Sequence, residues 1–442
     1  MNYILFDGNA RSALLPFTRT RPVAEIRAGI LTIREKWERF LGASCSCLTA
    51  AYLREKFPFS LSAENILINA SLLPDTALAK RVASLKPGQT LMQKGAVLAA
   101  WLGEKEARSL AQAGYGWQSG PGLQHAQDDA NERSLSGERR AEAADKRARA
   151  IEEWAEATVQ RAGAVEEWTG PLHRLIHPED IFRFNAEAIA ADFDLLTAGK
   201  RSAIPGSTNR ILGHRLFLEA DVEMECANIN TLTGPVYIGK GAVVMEGVNL
   251  RGPLAIGAGA VVKMGARLYG PTTIGPESVV GGEIKQSVIF GNTNKSHDGY
   301  LGNSVIGEWC NLGADTNCSN MKNNYKSVKL WSYETGGMRD TGLPYCGLMM
   351  GDFSRTGINT MFNTGTTVGV NVNLYGSAMP PAFLPDFSWG SGDALQTYRP
   401  EKALETAKRI MEHKGGYFTE ADARIHHEIF NLTEMYRKGA SE

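Results

Sequence analysis

The sequence predicts a two-part fold: an α/β domain with a parallel-sheet core, followed by a left-handed parallel β-helix with terminal helices. Three observations carry that prediction. Residues 1 to about 105 alternate short apolar runs with helical patterns, as βα units do. Glycine numbers 47 in 442 residues, above the usual ~7%, and most of it follows residue 199. Aliphatic side chains recur at a strict period of six through Leu232, Ile238, Val244, Leu250, Ile256, Val262, Leu268, Ile274 and Val280.

A period of six belongs neither to a helix (3.6) nor to an alternating strand (2). Every third aliphatic is followed by glycine, as in Ile238-Gly239, Ile256-Gly257 and Ile274-Gly275, so 18 residues make one coil of three faces. Each aliphatic, Leu232 included, is expected to point inward and to stack on its equivalent one coil away, at the ~4.8 Å spacing of neighbouring strands. One coil buries almost nothing alone, so stability comes from stacking. The register breaks near Gln286, resumes around Ile306 and Leu312, and returns at Phe362, Val368 and Leu374. Such breaks predict loops that leave the prism, where binding residues tend to sit.

In the first part, Tyr3–Phe6 reads as a strand, Leu31–Phe40 as a helix, and Ser44–Ala51 and Asn65–Ile68 as further strands of a helix-covered parallel sheet. Residues 112–162 form a charged insertion: Arg139–Glu156 suits a solvated helix, and Gln118–Gly137 reads as mobile. A connector with helical spacing in Phe182–Leu196 leads to the repeats. Ala403, Ala407, Ile410 and Met411 share a helical face, and Thr419 with Asp422 resembles a capping box. These last helices are expected to cap the open end of the solenoid, with His426 and His427 on the surface. The domains are therefore drawn at 1–213, 214–398 and 399–442.

Composition excludes several classes. Lys+Arg 47 against Asp+Glu 48 leaves a net charge of −1, so no global field draws the chain to nucleic acid or to a membrane. No apolar run approaches the ~20 residues of a membrane helix. Met1–Asp7 reads as a strand rather than a signal peptide, and the cytoplasm is the simplest address. The six cysteines (45, 47, 226, 310, 318, 346) lack the paired spacing of zinc sites and read as buried or idle thiols.

Chemistry concentrates where the register breaks. The runs are Gly282-Glu-Ile-Lys285-Gln-Ser, Asn294-Lys-Ser-His297-Asp-Gly-Tyr300-Leu-Gly, Val305-Ile-Gly-Glu-Trp-Cys-Asn311-Leu-Gly-Ala314, and then Asn320. Taken alone, a histidine in a glycine-rich loop suits a surface position as well as a general base. The whole run resembles the acetyltransferase domain, of the hexapeptide acyltransferase type, of the GlmU family (bifunctional N-acetylglucosamine-1-phosphate uridyltransferase/glucosamine-1-phosphate acetyltransferase). The lysine-to-histidine gap (297 − 285 = 12) and the histidine-to-asparagine gap (320 − 297 = 23) match that family, and Arg267, 18 residues before Lys285, falls on a family arginine. The likeness is close over residues 236–326 and looser to about 380.

The resemblance implies roles. His297 would be the general base that deprotonates the sugar's 2-amino group for attack on the thioester of acetyl-CoA. Arg267 and Lys285 would hold the sugar phosphate, Tyr300 and Asn320 would orient the sugar, and Asn311 would line the pocket. The backbone N–H near Ala314 would face the oxyanion. The family's site forms between subunits, which implies a homotrimer. Asn320-Met-Lys-Asn323 departs from the family's Asn-Tyr-Asp-Gly and puts the acceptor sugar in question. The polar segment from Gly351 to Gly365 suits a CoA channel and a structural Thr/Asn ladder equally.

At the amino terminus, Asp7-Gly8-Asn-Ala-Arg11 with Leu14, Pro16, Thr18 and Pro22 resembles the opening of sugar-1-phosphate nucleotidyltransferases. The phosphate-cradling glycines are reduced to Gly8, Val23 replaces a lysine, and Asn69-Ala70 replaces the Gly-Asp that helps to hold Mg²⁺. Thr20–Gly29 reads Thr-Arg-Pro-Val-Ala-Glu-Ile-Arg-Ala-Gly, and Arg11, Arg19, Arg21 and Arg27 suit either phosphate ligands or solvated charges. The implied function is acetyl transfer to an aminosugar 1-phosphate, then NTP- and Mg²⁺-dependent formation of a nucleotide sugar; the metal ligands are not identified. The rivals are an acyltransferase with an inactive nucleotidyltransferase domain and a non-catalytic sugar- or nucleotide-sensing trimer.

Overall fold

The computed structural model describes residues 1–115 and 164–438. The readings for Gln118–Gly137 and Arg139–Glu156 lie outside that range. In the first part, the strand Asn2–Phe6 is flanked in parallel by Cys45–Leu48 and Glu64–Asn69. All three are almost continuously buried, as strands covered on both faces must be. The helix Ile33–Leu41 covers them with Ile33 and Trp37, starting at a Thr32/Glu35 capping box and ending at Gly42 with φ +64°. Beyond Glu64–Asn69 the sheet turns antiparallel through Ala96–Gly103 and Gln89–Gln93, and Ala164–Glu167 forms its edge. The expected parallel core is thus three strands wide. The hairpin beside it turns on Lys94 and Gly95, both at positive φ (48° and 82°), as a two-residue turn that matches strand twist requires.

The second part is a three-faced parallel β-solenoid. One face stacks nine strands from Leu216–Leu218 to Phe383–Leu384. A middle face runs from Glu223–Met224 through Val279–Val280 and Asn294–Lys295 to Arg355–Thr356 and Asn373–Leu374. The third face runs from Arg210–Leu212 through Arg267–Tyr269 and Glu283–Lys285 to Tyr300–Gly302.

Of the nine period-six aliphatics, all but one lie in the core; Leu232 is 72% exposed. Its expected place is taken by Ile229, which pairs with Leu250 across 250 − 229 = 21 residues, three more than a regular coil. The excess loops out at Thr231–Gly234 and carries Leu232 with it. Near Gln286 the opposite happens. Ile274 pairs with Ile289 across 289 − 274 = 15 residues, so the coil is shortened and no loop leaves the prism there. The real excursion lies between Cys318 and Leu348, where Lys329–Ser332 and Gly337–Asp340 form an antiparallel hairpin.

The terminal helices Pro400–His413 and Glu420–Leu432 do not cap the end of the solenoid. They lie along its flank, where Ala407 and Met411 pack with Phe353 and Trp309, and Lys414 Nζ donates to the Glu277 carbonyl at 2.9 Å. The capping box at Thr419 and Asp422 is present. His427 is exposed, but His426 is buried between the Phe353 and Phe418 rings, because the second helix turns that face onto the first.

The α/β domain docks side-on against the nine-stranded face. Ile189, Phe193 and Leu196 of the helix Asn185–Thr197 pack on Phe217, Tyr237 and Ala255. Val288, Phe290, Val305 and Met349 of the solenoid join the domain's own core. Among the described residues no helix is long and apolar enough to cross a membrane.

Candidate functional site

The third face gathers four of the residues singled out from the sequence. Strand alternation points Arg267, Glu283 and Tyr300 outward in one column and Tyr269 and Lys285 in the next. The shortened coil sets Lys285 beside Tyr269 rather than beside Arg267, so the two cations are diagonal neighbours. Lys285 Nζ stands 5.8 Å from the Tyr269 ring centre, and Tyr269 Oη donates to Glu283 at 2.6 Å. Burial and that carboxylate push the Tyr269 phenol up to about 12. Arg267 Nε lies 3.7 Å from Glu283, an exposed contact that leaves the guanidinium open to a ligand. Glu283 is a member of this cluster that the motif comparison did not single out.

Tyr300 is fixed from several sides. Its N–H donates to Asn317 Oδ1 at 2.9 Å, and Asn320 Nδ2 donates to its hydroxyl at 3.0 Å and to Asn303 Oδ1 at 2.7 Å. The side chain folds back over Gly302, where a Cβ would come within 2.2 Å of the hydroxyl oxygen. Any side chain at Gly302 would displace it.

His297 stands exposed at the corner between the middle and third faces. Ala314 occupies the same corner one coil further on, tied there by Asp315 N–H to Asp298 O (3.1 Å) and by Asn359 N–H to Ala314 O (2.7 Å). Asn311 lies around the corner on the middle face, bridged to Asn294 and Arg355. One chain thus brings together Arg267, Lys285, Tyr300 and Asn320, places His297 and Ala314 at their border, and holds Asn311 apart.

Lys295 also bears on this corner. It occupies the inward position that stacks on Val280 and is 1% exposed. Its ammonium donates to the carbonyls of His297 (2.6 Å) and Asp298 (3.1 Å), which fastens the corner from inside. Burial pulls its pKa down to about 8, against the opposing pull of Asp298 and Asp315. The available signal was spacing: Lys295 falls 15 residues after Val280, where the shortened coil demands an apolar side chain.

In the α/β domain, Asp7 is buried and accepts from Val23 N–H (2.8 Å) and Thr49 Oγ1 (2.5 Å), with Arg11 at 3.2 Å. Burial raises its pKa despite Arg11 and these hydrogen bonds. Asn69 Oδ1 accepts from Ser71 N–H (3.0 Å) and Ser71 Oγ (2.7 Å). Both side chains are held internally, and the described residues contain no group of three carboxylate, imidazole or thiol side chains able to hold a metal ion. They do not fit a magnesium site. Gly8 adopts φ +52°, and Arg11 also reaches the Tyr52 hydroxyl at 2.7 Å.

The other arginines of this region are neither solvated nor turned toward a phosphate pocket. Arg21 pairs with Asp352 and, at 3.3 Å, with Glu308; Thr20 also donates to Asp352. Arg27 Nε donates to the Phe290 carbonyl at 2.9 Å, and Arg19 Nε lies 3.6 Å from Asp386. Gly29 N–H donates to Asn185 Oδ1 at 2.7 Å, while its carbonyl accepts from Thr273 Oγ1 at 3.0 Å. The segment Thr20–Gly29 is therefore a docking element between the two halves, which corrects the reading of Arg21 and Arg27 as nucleotide ligands. The cysteines are free and, apart from Cys226, buried; burial pushes the Cys45 thiol up to about 12.

The chain thus joins a three-faced β-solenoid with a basic, tyrosine-bearing face to a mixed-sheet α/β domain. The sugar nucleotidyl transferase family matches residues 3–201. Among curated proteins, the bifunctional protein GlmU of Methanocaldococcus jannaschii is 38% identical over 89 residues, 20% of this chain and 21% of that one. The GlmU of Methanococcus maripaludis is 40% identical over 146 residues, 33% of this chain and 35% of that protein. The bifunctional sugar-1-phosphate nucleotidylyltransferase/acetyltransferase of Sulfurisphaera tokodaii is 35% identical over 98 residues, 22% of this chain and 24% of its own. The matched stretches thus span between about a fifth and a third of these relatives. The solved structure of an Arabidopsis UDP-N-acetylglucosamine acyltransferase aligns over 54% of this chain and 93% of its own at 12% identity, but a TM-score of 0.20 lends that likeness no weight. Residues 3–201 thus match the sugar nucleotidyl transferase family, and shorter stretches of the chain are similar to GlmU proteins.

Proposed function

We propose that the solenoid transfers an acetyl group from acetyl-CoA to the 2-amino group of an aminosugar 1-phosphate, with glucosamine-1-phosphate as the first acceptor to test. The observation that carries this reading is the outward cluster of Arg267, Lys285, Tyr300 and Asn320 beside the exposed His297. Arg267 and Lys285 bind the phosphate, and Tyr300 and Asn320 orient the ring. His297 takes a proton from the amine, whose lone pair then attacks the thioester carbonyl. The backbone N–H near Ala314 stabilises the oxyanion, the C–S bond breaks, and the imidazolium returns its proton to the departing CoA sulfur. Asn311, held around the corner, reaches the acceptor face of a second copy in a homotrimer. The cytoplasm, where acetyl-CoA and sugar phosphates are made, is the compartment this reading requires.

The α/β domain supports a second activity, NTP-dependent nucleotidyl transfer to the acetylated sugar phosphate, on the strength of its family match. Gly8 and Arg11 are its proposed nucleotide contacts. Arg21 and Arg27 are engaged with the solenoid and are not among these contacts; an acyltransferase with a silent nucleotidyltransferase domain is the narrower alternative.

Release of free thiol from acetyl-CoA with glucosamine-1-phosphate tests the first activity. The intact protein turns over, and His297→Ala loses about 10²–10⁴-fold, the worth of a general base. No turnover with any aminosugar phosphate sinks the reading. Pyrophosphate release from UTP and N-acetylglucosamine-1-phosphate decides between the two states of the α/β domain.

A further inference from the structure

Lys295 stands where the solenoid needs no charge. Its side chain enters the core of the middle face, in a column that otherwise reads Val244, Val262, Val280, Leu312, Thr356 and Leu374. It is 1% exposed, and among the described residues its ammonium makes no ion pair, only the hydrogen bonds to the His297 and Asp298 carbonyls. An ammonium removed from water without a counter-charge is unfavourable. A methionine would fill the same column without that cost.

The backbone of the corner that follows gives the charge a task. At three other coils the carbonyl two residues past the inward position is closed by an N–H of the next coil. Gly247 donates to Cys226 (3.0 Å), Gly265 to Glu246 (3.0 Å) and Asn359 to Ala314 (2.7 Å). His297 occupies that position at its own coil, but the corresponding N–H, of Asp315, donates to Asp298 instead, at 3.1 Å. The corner also lacks a matching corner beneath it. Glu283 opens the third face 283 − 280 = 3 residues after Val280, whereas Tyr300 opens it 300 − 295 = 5 residues after Lys295. A full-length corner thus rests on the short one at Gly281 and Gly282. Among the described residues the His297 carbonyl has one donor, Lys295 Nζ at 2.6 Å. Buried backbone carbonyls require such a partner.

We infer that Lys295 is the positioning residue for His297: its ammonium replaces the missing backbone donor and fixes the peptide from which the imidazole projects. The inference deepens the acetyl-transfer reading and rests on it for the imidazole's task. Lys295 touches no substrate and acts through the His297 carbonyl alone. A general base works only when held close to its productive geometry, and a contact from inside the core supplies that hold. The charged groups that face the ammonium are Asp298 on its own corner and Asp315 on the next coil; the coil beneath brings Val280, Gly281 and Gly282. Burial outweighs the two carboxylates and lowers the pKa to about 8, so the hold weakens as pH rises through that value.

The test uses the full chain and two variants. Lys295→Met fills the column without a donor, and Lys295→Gln keeps an N–H donor without the charge. In thiol-release assays with acetyl-CoA and glucosamine-1-phosphate, Lys295→Met is expected to lower kcat about tenfold, the worth of one charge-assisted hydrogen bond. Both KM values stay unchanged, and the urea midpoint does not fall. The wild type loses kcat as pH rises through about 8, and neither variant shows that limb. Lys295→Gln recovers part of the kcat. Wild-type kcat in Lys295→Met overturns the inference, as does a loss that appears in KM, or one that follows a lower midpoint and is not recovered by glutamine. If Lys295→Met does not fold, Lys295→Gln alone is compared with the wild type, and an unchanged kcat and pH profile overturn the inference. Hydrogen exchange reads the corner without turnover: the amides of residues 296–300 exchange faster in the variants than in the wild type. That result in a protein without acyl turnover upholds the positioning and sinks the acetyl-transfer reading instead. Exchange equal to the wild type's overturns the positioning.

Discussion

The two halves of the molecule use the same side-chain chemistry in opposite directions. In the α/β domain the cations of Thr20–Gly29 point inward, against Asp352, Glu308 and the Phe290 carbonyl, and hold the halves together. On the third face of the solenoid Arg267 and Lys285 point outward, beside a tyrosine and an amide already locked in place. The difference teaches that a cluster of cations stays open to a ligand only where no buried counter-charge engages it; Arg267 meets only the part-exposed Glu283, at 3.7 Å. Where the fold supplies such counter-charges, the cluster belongs to the architecture.

The sharpest way to break this contrast is to remove the buried counter-charge. Asp352→Ala leaves Arg21 with Glu308 alone, deprives Thr20 of its acceptor, and should cost about 3–5 kcal/mol, read as a lower urea midpoint. KM for the sugar phosphate should stay unchanged in the protein that remains folded. The second test is acid. His426 is buried and neutral: Asn371 Nδ2 donates to its Nδ1 at 2.7 Å, and burial lowers its pKa to about 3. The unfolded chain binds this proton near pH 6.5 and the folded chain does not, so stability is full above that pH and declines as pH falls toward 3. The loss is on the order of a few kcal/mol, and His426→Gln should flatten the acid limb of a stability–pH curve.

Smaller effects sharpen the other side. Lys285→Ala should raise KM for the sugar phosphate about tenfold, the worth of one charge-assisted hydrogen bond, with no change in the urea midpoint. A loss of stability there would place Lys285 with Arg21 among the structural cations. Smallest is Arg424→Ala. Its pair with Glu55 also joins the two halves but is exposed on both sides, so the midpoint should not move.

Much of this contrast was hidden in the sequence for physical reasons. The period-six aliphatics disclosed the solenoid because stacking demands the same side-chain class at every coil. The spacing of Lys285, Tyr300 and Asn320 pointed to one cluster because a motif keeps its spacing, and the three do share a face. Leu232 misled and Lys295 passed unread for one shared reason: a coil three residues long or short moves every later residue, and the pattern alone does not say where the slip falls. Thr20–Gly29 looked like a ligand loop because an arginine's partner 331 residues away leaves no local trace. The flanking helices were legible as amphipathic, but their resting place was not, since an apolar stripe names no partner.

Solenoids elsewhere gain and lose repeats freely, because each coil touches only its neighbours. Here the α/β domain grips the flank at several heights, at Thr273 through Gly29, at Phe290 through Arg27, at Asp352 through Arg21 and at Asp386 through Arg19. Duplicating one coil between Thr273 and Asp386 would slide the upper contacts past the lower by ~4.8 Å, more than the length of a hydrogen bond. The docked domain therefore acts as a gauge on the repeat number. Over this stretch the chain can change its coils one residue at a time, but it cannot change their count.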